Sequence, residues 1–295
     1  MRDLQDEESK IKALDELFQE VGVFRKSAEY MALFDFIKRF PKIAPYNAML
    51  IRLQRPGSQY VCSAREWRKF FDRTVKPGAN PLVILQQFGP VRFVFELGDT
   101  DGRPLPDEIM SPFKAHGTLS KDALSNLMSN LPRDGIAYSE VKQGTGGAGS
   151  IQTAQENSRQ QLKRHSETLH LAIYYHLVVN RALGDLEKFT TILHELAHLY
   201  CGHPGIPPVK KWNFWPSRLG LAQEAREFEA ESVAWLVCER MGIQNPSVEY
   251  LSNYVCKNDE IPNISIEAVL KATNMVESML RKCLPLRDEV IVSQT

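Results

Sequence analysis

The stretch His194-Glu195-Leu196-Ala197-His198 constrains this chain more than any other. Histidines at i and i+4 project from one helix face, a turn apart. Two imidazole nitrogens so placed can reach one metal ion at about 2.0–2.1 Å. The glutamate after the first histidine can face a metal-bound water and act as general base. A helix with these groups on its inner face is costly to bury unless partners or a metal satisfy them. The helix is legible in the residues around the motif. Asp185 after Gly184 is the expected N-cap, and Gly202 stands where a helix stops. Between them Phe189, Ile192, Leu193, Leu196, Ala197 and Tyr200 recur at helical spacing.

Catalytic zinc usually takes three protein ligands and leaves a fourth position open. Leu221–Arg240, LAQEAREFEAESVAWLVCER, reads as a second helix with an apolar stripe through Phe228, Val233, Ala234 and Val237. It carries Glu224, Glu227, Glu229, Glu231 and Glu239. Glu227 and Glu231 share a face, so one can ligate the metal while the other orients a ligand histidine through its free ring N–H. An acidic run of this kind is otherwise a solvated helix face. His203, five residues past His198 and beyond the expected helix stop, is a rival third ligand.

The string His194 to His203, followed by Glu227-Phe-Glu-Ala-Glu-Ser-Val-Ala-Trp-Leu-Val, resembles the ImmA/IrrE family of zinc metallopeptidases. Glu227, Ala230, Val233 and Ala234 fall on the family's second-helix pattern, E-x-x-A-x-x-[FV]-A. The resemblance implies zinc as cofactor and Glu227 as third ligand beside His194 and His198; with Glu195 as catalytic base, Glu231 is then the candidate to orient a ligand histidine. It also implies regulatory cleavage of a specific protein, such as a repressor or other regulator. Tyr174 to Phe189 resembles the family's strand-then-helix entry. Farther upstream, Asn47-Ala-Met-Leu, Tyr60 to Trp67, Lys76-Pro-Gly and the strand Leu82 to Leu85 resemble the N-terminal module of ArdC-type antirestriction proteins. The chain departs from that module at Pro77-Gly78-Ala79-Asn80, where the family has a charged turn.

Net charge is zero but unevenly spread: Val23 to Thr100 holds 13 Lys and Arg against six Asp and Glu, or +7, leaving −7 elsewhere. Tyr30, Phe40, Tyr46, Tyr60, Trp67, Phe70 and Phe71 lie in the same region. Basic groups interleaved with rings suit single-stranded DNA, where charge tracks phosphates and rings stack bases. Equally, Phe34, Phe36, Trp67, Phe70 and Phe71 sit at core-like spacings, with the cations as a solvated surface. Cys62, Cys201, Cys238, Cys256 and Cys283 are scattered without a C-x-x-C pair and read as reduced thiols, Cys201 as a packing residue. No apolar run approaches the roughly 20 residues of a membrane span, and the charged start MRDLQDEESK lacks a signal-peptide core. A cytoplasmic protein with no membrane partner is expected.

The expected architecture is α+β: an ArdC-like module over residues 1–112 and a zincin-like metallopeptidase domain over 113–295. Helices are expected at 3–20, 24–40, Gln152–His165, Ser247–Cys256 and Ile266–Cys283. Strands are expected at Gln59–Cys62, Leu82–Gln87, Val91–Leu97 and His170–Val179, with Gly89-Pro90 as a turn. Asp99 to Pro106 marks a boundary region, and the Gly-rich Gly144 to Ser150 is no phosphate loop but a flexible segment near the cleft. Tyr174–Val179 is expected to edge the cleft and pair with substrate, with Tyr174, Trp212, Phe214 or Trp215 lining a side-chain pocket or, equally, capping the core. Arg226, His176 and Tyr200 are the candidates to stabilise an oxyanion. Two other function classes stay open: a single-stranded-DNA-binding antirestriction protein whose zinc domain is secondary, and a zinc-stabilised interaction protein without turnover.

Overall fold

The structure, a computed structural model, describes residues 27–86, 89–105, 120–141, 148–164, 167–209, 212–243, 251 and 260–292. They form an α+β fold of mixed helices and sheets. Helices α1 (Ser27–Lys38) and α2 (Pro45–Gln54) come first, Pro45 serving as a helix-starting residue whose missing N–H is no loss there. An antiparallel sheet follows in the order β1 (Val61–Cys62), β4 (Gly89–Glu96), β3 (Leu82–Gln86). Helix α3 (Ala64–Phe71) is capped by a reciprocal Ser63–Glu66 box. Strands β2 (Arg73–Val75) and β5 (Thr100–Gly102) make a small separate pair. The outer edge of β3 is paired by side chains: Asn47 exchanges two hydrogen bonds with the Leu85 backbone, at 2.9 and 3.0 Å. Gln54 does the same with Val83, both at 2.8 Å. Two amide side chains of α2 thus stand where a neighbouring strand would.

The second half holds α4 (Lys121–Asn130), β6 (Ile136–Val141), β7 (Gly149–Thr153), β8 (Arg159–Arg164), β9 (Glu167–Ala172), β10 (Tyr175–Asn180), α5 (Asp185–Tyr200), α6 (Gln223–Met241) and α7 (Ile266–Arg281). Strand β10 is central, parallel to β6 and antiparallel to β7. Its Tyr175, Leu177 and Val179 alternate into the core. Strands β8 and β9 form a separate hairpin. Helices α5, α6 and α7 pack on one another, and one apolar core runs from Tyr30 of α1 to Val290.

Helix α1 is fastened to α6. The Tyr30 hydroxyl donates to Ser232 Oγ at 2.6 Å, and Phe34 stacks on Trp235 with centroids 5.6 Å apart. The α1–α2 turn is held by the buried Arg240 of α6, whose guanidinium donates to the carbonyls of Ile37, Phe40 and Ile43 and pairs with Glu277 of α7.

Several expectations are corrected. The helix expected over Gln152–His165 is absent from its described residues, 152–164: the start belongs to β7, Asn157 turns at φ 64°, and β8 follows. This polar stretch has helix-forming residues but no apolar stripe, so pairing with β10 and β9 decides its conformation. The single strand expected over His170–Val179 is two, β9 and β10, broken at Ile173-Tyr174 where the partner strands change. Gly89 and Pro90 belong to β4 rather than to a turn. The helix at 3–20, residues 144–147, and all of 247–256 but Leu251 lie outside the described residues, as do 106–119 around the expected boundary. No helix among the described residues is long and apolar enough to cross a membrane.

Candidate metal centre

The N-cap of helix α5 is Gly184 rather than the expected Asp185, which is the first helical residue, and the Gly184 N–H donates to Glu187 Oε2 at 2.9 Å. The Asp185 and Glu187 carboxylates sit in the first turn, where the helix dipole favours negative charge. The helix ends at Tyr200, and Gly202 turns the chain at φ 81°. A Cβ there would lie 2.1 Å from the Pro216 carbonyl oxygen, so the glycine admits both the left-handed turn and a close chain crossing.

Between these ends α5 presents His194 and His198 to α6. Their Nε2 atoms lie 3.0 Å apart, and Glu227 Oε2 lies 3.5 Å from His194 Nε2 and 3.6 Å from His198 Nε2. Ligands at about 2.0–2.1 Å around a tetrahedral ion are separated by about 3.3 Å. The triangle matches that spacing, and the two-nitrogen, one-oxygen donor set suits zinc. Burial alone would lower the His194 pKa, but Glu227, Glu231 and Glu195 together outweigh it and hold the imidazole up at about 10. The two imidazoles hold Glu227 far below the ordinary carboxylate range, against its burial.

Glu195 is buried on α5 beneath β7, where the Ile151 backbone hydrogen-bonds its carboxylate. Burial raises its pKa, against the pull of His194 and His198. The four residues line a cleft of about 870 Å³, together with Ala148 to Gln152, Thr190, Thr191 and Arg226. The chain thus carries a cluster of His and Glu residues able to coordinate a metal ion.

No family model, characterised protein or solved structure matches this chain.

Behind the triangle each histidine has a partner on its other ring nitrogen. Glu231 Oε1 lies 3.2 Å from His194 Nδ1. His203 Nδ1 lies 2.8 Å from His198 Nδ1, so His203 points behind His198 rather than joining the triangle. His203 Nε2 lies 2.9 Å from Glu229 Oε2, and burial lowers the His203 pKa despite that carboxylate. Arg218 grips Glu229 with both fork nitrogens, at 2.6 and 2.7 Å, and the Ser265 N–H donates to it at 2.7 Å. Cys201, His203 and Glu229 also form a buried trio within metal-ligand reach, but Arg218 occupies both carboxylate oxygens. Sequence reasoning set out the α5–α6 pairing and missed Glu229 and Arg218. Glu229 lies on the opposite side of α6 from Glu231, and Arg218 lies in a loop whose path the Gly202 crossing determines.

Tyr174–Val179 is not the cleft edge. Strand β10 is hydrogen-bonded on both sides, and β7 takes the edge position. Trp212 and Trp215 are buried and do not line the cleft. Trp212 meets Tyr174, Phe214 and Trp215 edge-on at 5.6, 5.0 and 4.9 Å. Arg287 lies over Phe214, and the half-buried Tyr174 donates to the Glu289 carbonyl at 2.7 Å. These large rings gain more from mutual burial than from exposure at a cleft wall. Of the oxyanion candidates, only Arg226 lines the cleft. His176 is exposed on β10, and Tyr200 is buried, donating to Asp134 at 2.7 Å.

Proposed function

We propose that the chain is a zinc-dependent endopeptidase of the ImmA/IrrE type, cleaving a specific protein such as a regulator or repressor. The observation that carries this reading is the convergence of His194 Nε2, His198 Nε2 and Glu227 Oε2 beside the buried Glu195, in a cleft bounded by an edge strand. Zinc held by those three atoms would supply a Lewis acid that makes water acidic at about pH 7 and polarises a scissile carbonyl. Glu195 takes the proton of the attacking water and hands it to the leaving amine. Strand β7 pairs with β10 alone among the described strands, so an extended substrate segment adds to its other edge by main-chain hydrogen bonds. Arg226 is the cation in the cleft able to meet negative charge.

The deciding experiment pairs metal analysis with a proteome-wide cleavage comparison of wild type and Glu195→Gln. About one zinc per chain is expected, lost on His194→Ala or His198→Ala and clearly weakened in Glu227→Ala. Glu195→Gln should keep the metal and lose most hydrolysis, because an amide cannot accept the proton. Cleavage by Glu195→Gln at the wild-type rate would sink the mechanism. Full zinc retention without Glu227 would sink the ligand set.

A second reading, an ArdC-type protein binding single-stranded DNA, is favoured by α3. Its Arg65, Arg68 and Lys69 surround a hollow of about 600 Å³, and Phe70 is 62% exposed beside them. Of the rest of the suggested stacking set, Tyr30, Phe40 and Trp67 are buried, while Tyr46, Tyr60 and Phe71 are half-buried. Tight, salt-dependent binding of a single strand, abolished by Arg65→Glu with Arg68→Glu, would establish that activity.

A further inference from the structure

We propose that His203 is a positioning residue for the metal ligand His198, held in that role by Glu229 and Arg218. The inference rests on the zinc-site reading above and assigns new work to three residues outside the ligand triangle.

With His203 neutral, the hydrogen-bond chain has one consistent direction. Arg218 and the Ser265 N–H both donate to Glu229, so Glu229 is an ionised acceptor with nothing to donate. The His203 Nε2 at 2.9 Å must therefore carry the proton of that contact. A neutral His203 then has a bare Nδ1, which can only accept. The proton in the 2.8 Å contact must come from His198 Nδ1. That leaves His198 Nε2 bare, and it is the atom that faces His194 Nε2 and Glu227. Each link thus selects the tautomer of the next, ending on the tautomer a metal ligand requires.

The backbone is built to deliver this contact. After α5 the Gly202 turn lets the His203 N–H donate to the His198 carbonyl at 3.0 Å, folding its ring back behind His198. The same turn receives the Arg218 N–H on the Gly202 carbonyl at 2.8 Å, which brings the guanidinium to Glu229. The two ligand histidines are consequently supported differently: His194 by a carboxylate directly, His198 through a second imidazole.

The test measures zinc affinity of the full chain by competition with a chromophoric chelator, and the visible spectrum of the Co²⁺-loaded protein. His203→Phe keeps a ring but offers no acceptor, and should weaken zinc binding about 10- to 100-fold. His203→Asn places Oδ1 near the lost Nδ1 and should recover most of that affinity. Glu229→Gln should weaken binding in the same direction by less. X-ray absorption should count two imidazole ligands with or without His203. Wild-type affinity in His203→Phe, no recovery in His203→Asn, or a fall from three imidazoles to two would each overturn the assignment. If His203→Phe does not fold, His203→Ala takes its place against His203→Asn. Undiminished zinc binding by His194→Ala would instead discard the metal centre itself.

Discussion

As the proposed general base, Glu195 carries two opposed demands. A general base must be ionised, yet this carboxylate is buried and its pKa lies above the ordinary range. In the metal-free protein the ionised form is therefore a destabilising element. A folded pKa raised above the unfolded value, about 4.3, gives stability that is full below that value and is lost as pH rises through the folded pKa. Glu195→Gln removes the penalty and can keep an acceptor for the Ile151 backbone. With metal stripped, Glu195→Gln should melt about 2 °C above wild type at pH 8, the scale of roughly 1 kcal/mol in a chain of this size. The gap should close near pH 4. Thermal melts in chelator at the two pH values decide it, and a gap that persists or widens in acid would remove this account. His194, Glu195 and His198 could be singled out from sequence because helical spacing fixes their faces, whereas spacing left Glu227 and Glu231 level and only the family resemblance chose between them. The direction of His203 could not be read from sequence, since a left-handed turn sets it.

Strand β7 is where local sequence said least and tertiary pairing most. Gln, Ala and Glu outnumber Thr in the stretch just after Ile151, and their helix propensity is real. The backbone is nonetheless claimed by Leu177 and its neighbours in register. The long helices were legible because their apolar periods are strong: α5, α6 and α7 fall within a few residues of the expected spans. The strand's seat over α5 depends on Gly149. A Cβ there would lie 2.6 Å from Thr191 Cγ2 and 2.9 Å from the Val178 carbonyl oxygen. Gly149→Ala should lift β7 from α5 and cost about 1–3 kcal/mol. It should also lower kcat/KM on the identified target while zinc affinity stays near wild type, since no ligand moves. Measured together, unchanged kcat/KM and an unchanged melting temperature would show that β7 neither packs nor binds as argued.

Across the whole molecule, residues 27–54 are joined to the candidate metal centre by buried chemistry that no local pattern announces. Arg240 lies on the same helix as the proposed ligand Glu227, and its guanidinium reaches four carbonyls of the α1–α2 turn as well as Glu277. Truncating one partner of a buried ion pair typically costs about 3–5 kcal/mol, because the other charge is left unpaired. Here Arg281 also contacts Glu277, at 2.8 Å, so that carboxylate keeps a cation and the loss should fall near the lower bound. Of the turn carbonyls that Arg240 reaches, those of Ile37 and Phe40 keep a backbone N–H and that of Pro41 keeps Arg281, but the turn loses the cation that ties it to α6. Arg240→Ala should therefore release residues 27–54 more than it weakens the centre. Native-state hydrogen exchange read by peptide mass spectrometry should show amides of residues 27–54 exchanging much faster, with those of residues 185–200 less affected. Zinc affinity should stay within a few-fold of wild type, because Tyr30, Phe34 and Trp235 still dock α1 on α6. Equal acceleration in both segments would mean that Arg240 stabilises the core as a whole rather than the junction. In that case the two parts would unfold as one unit, and the turn carbonyls would be satisfied by water at little cost.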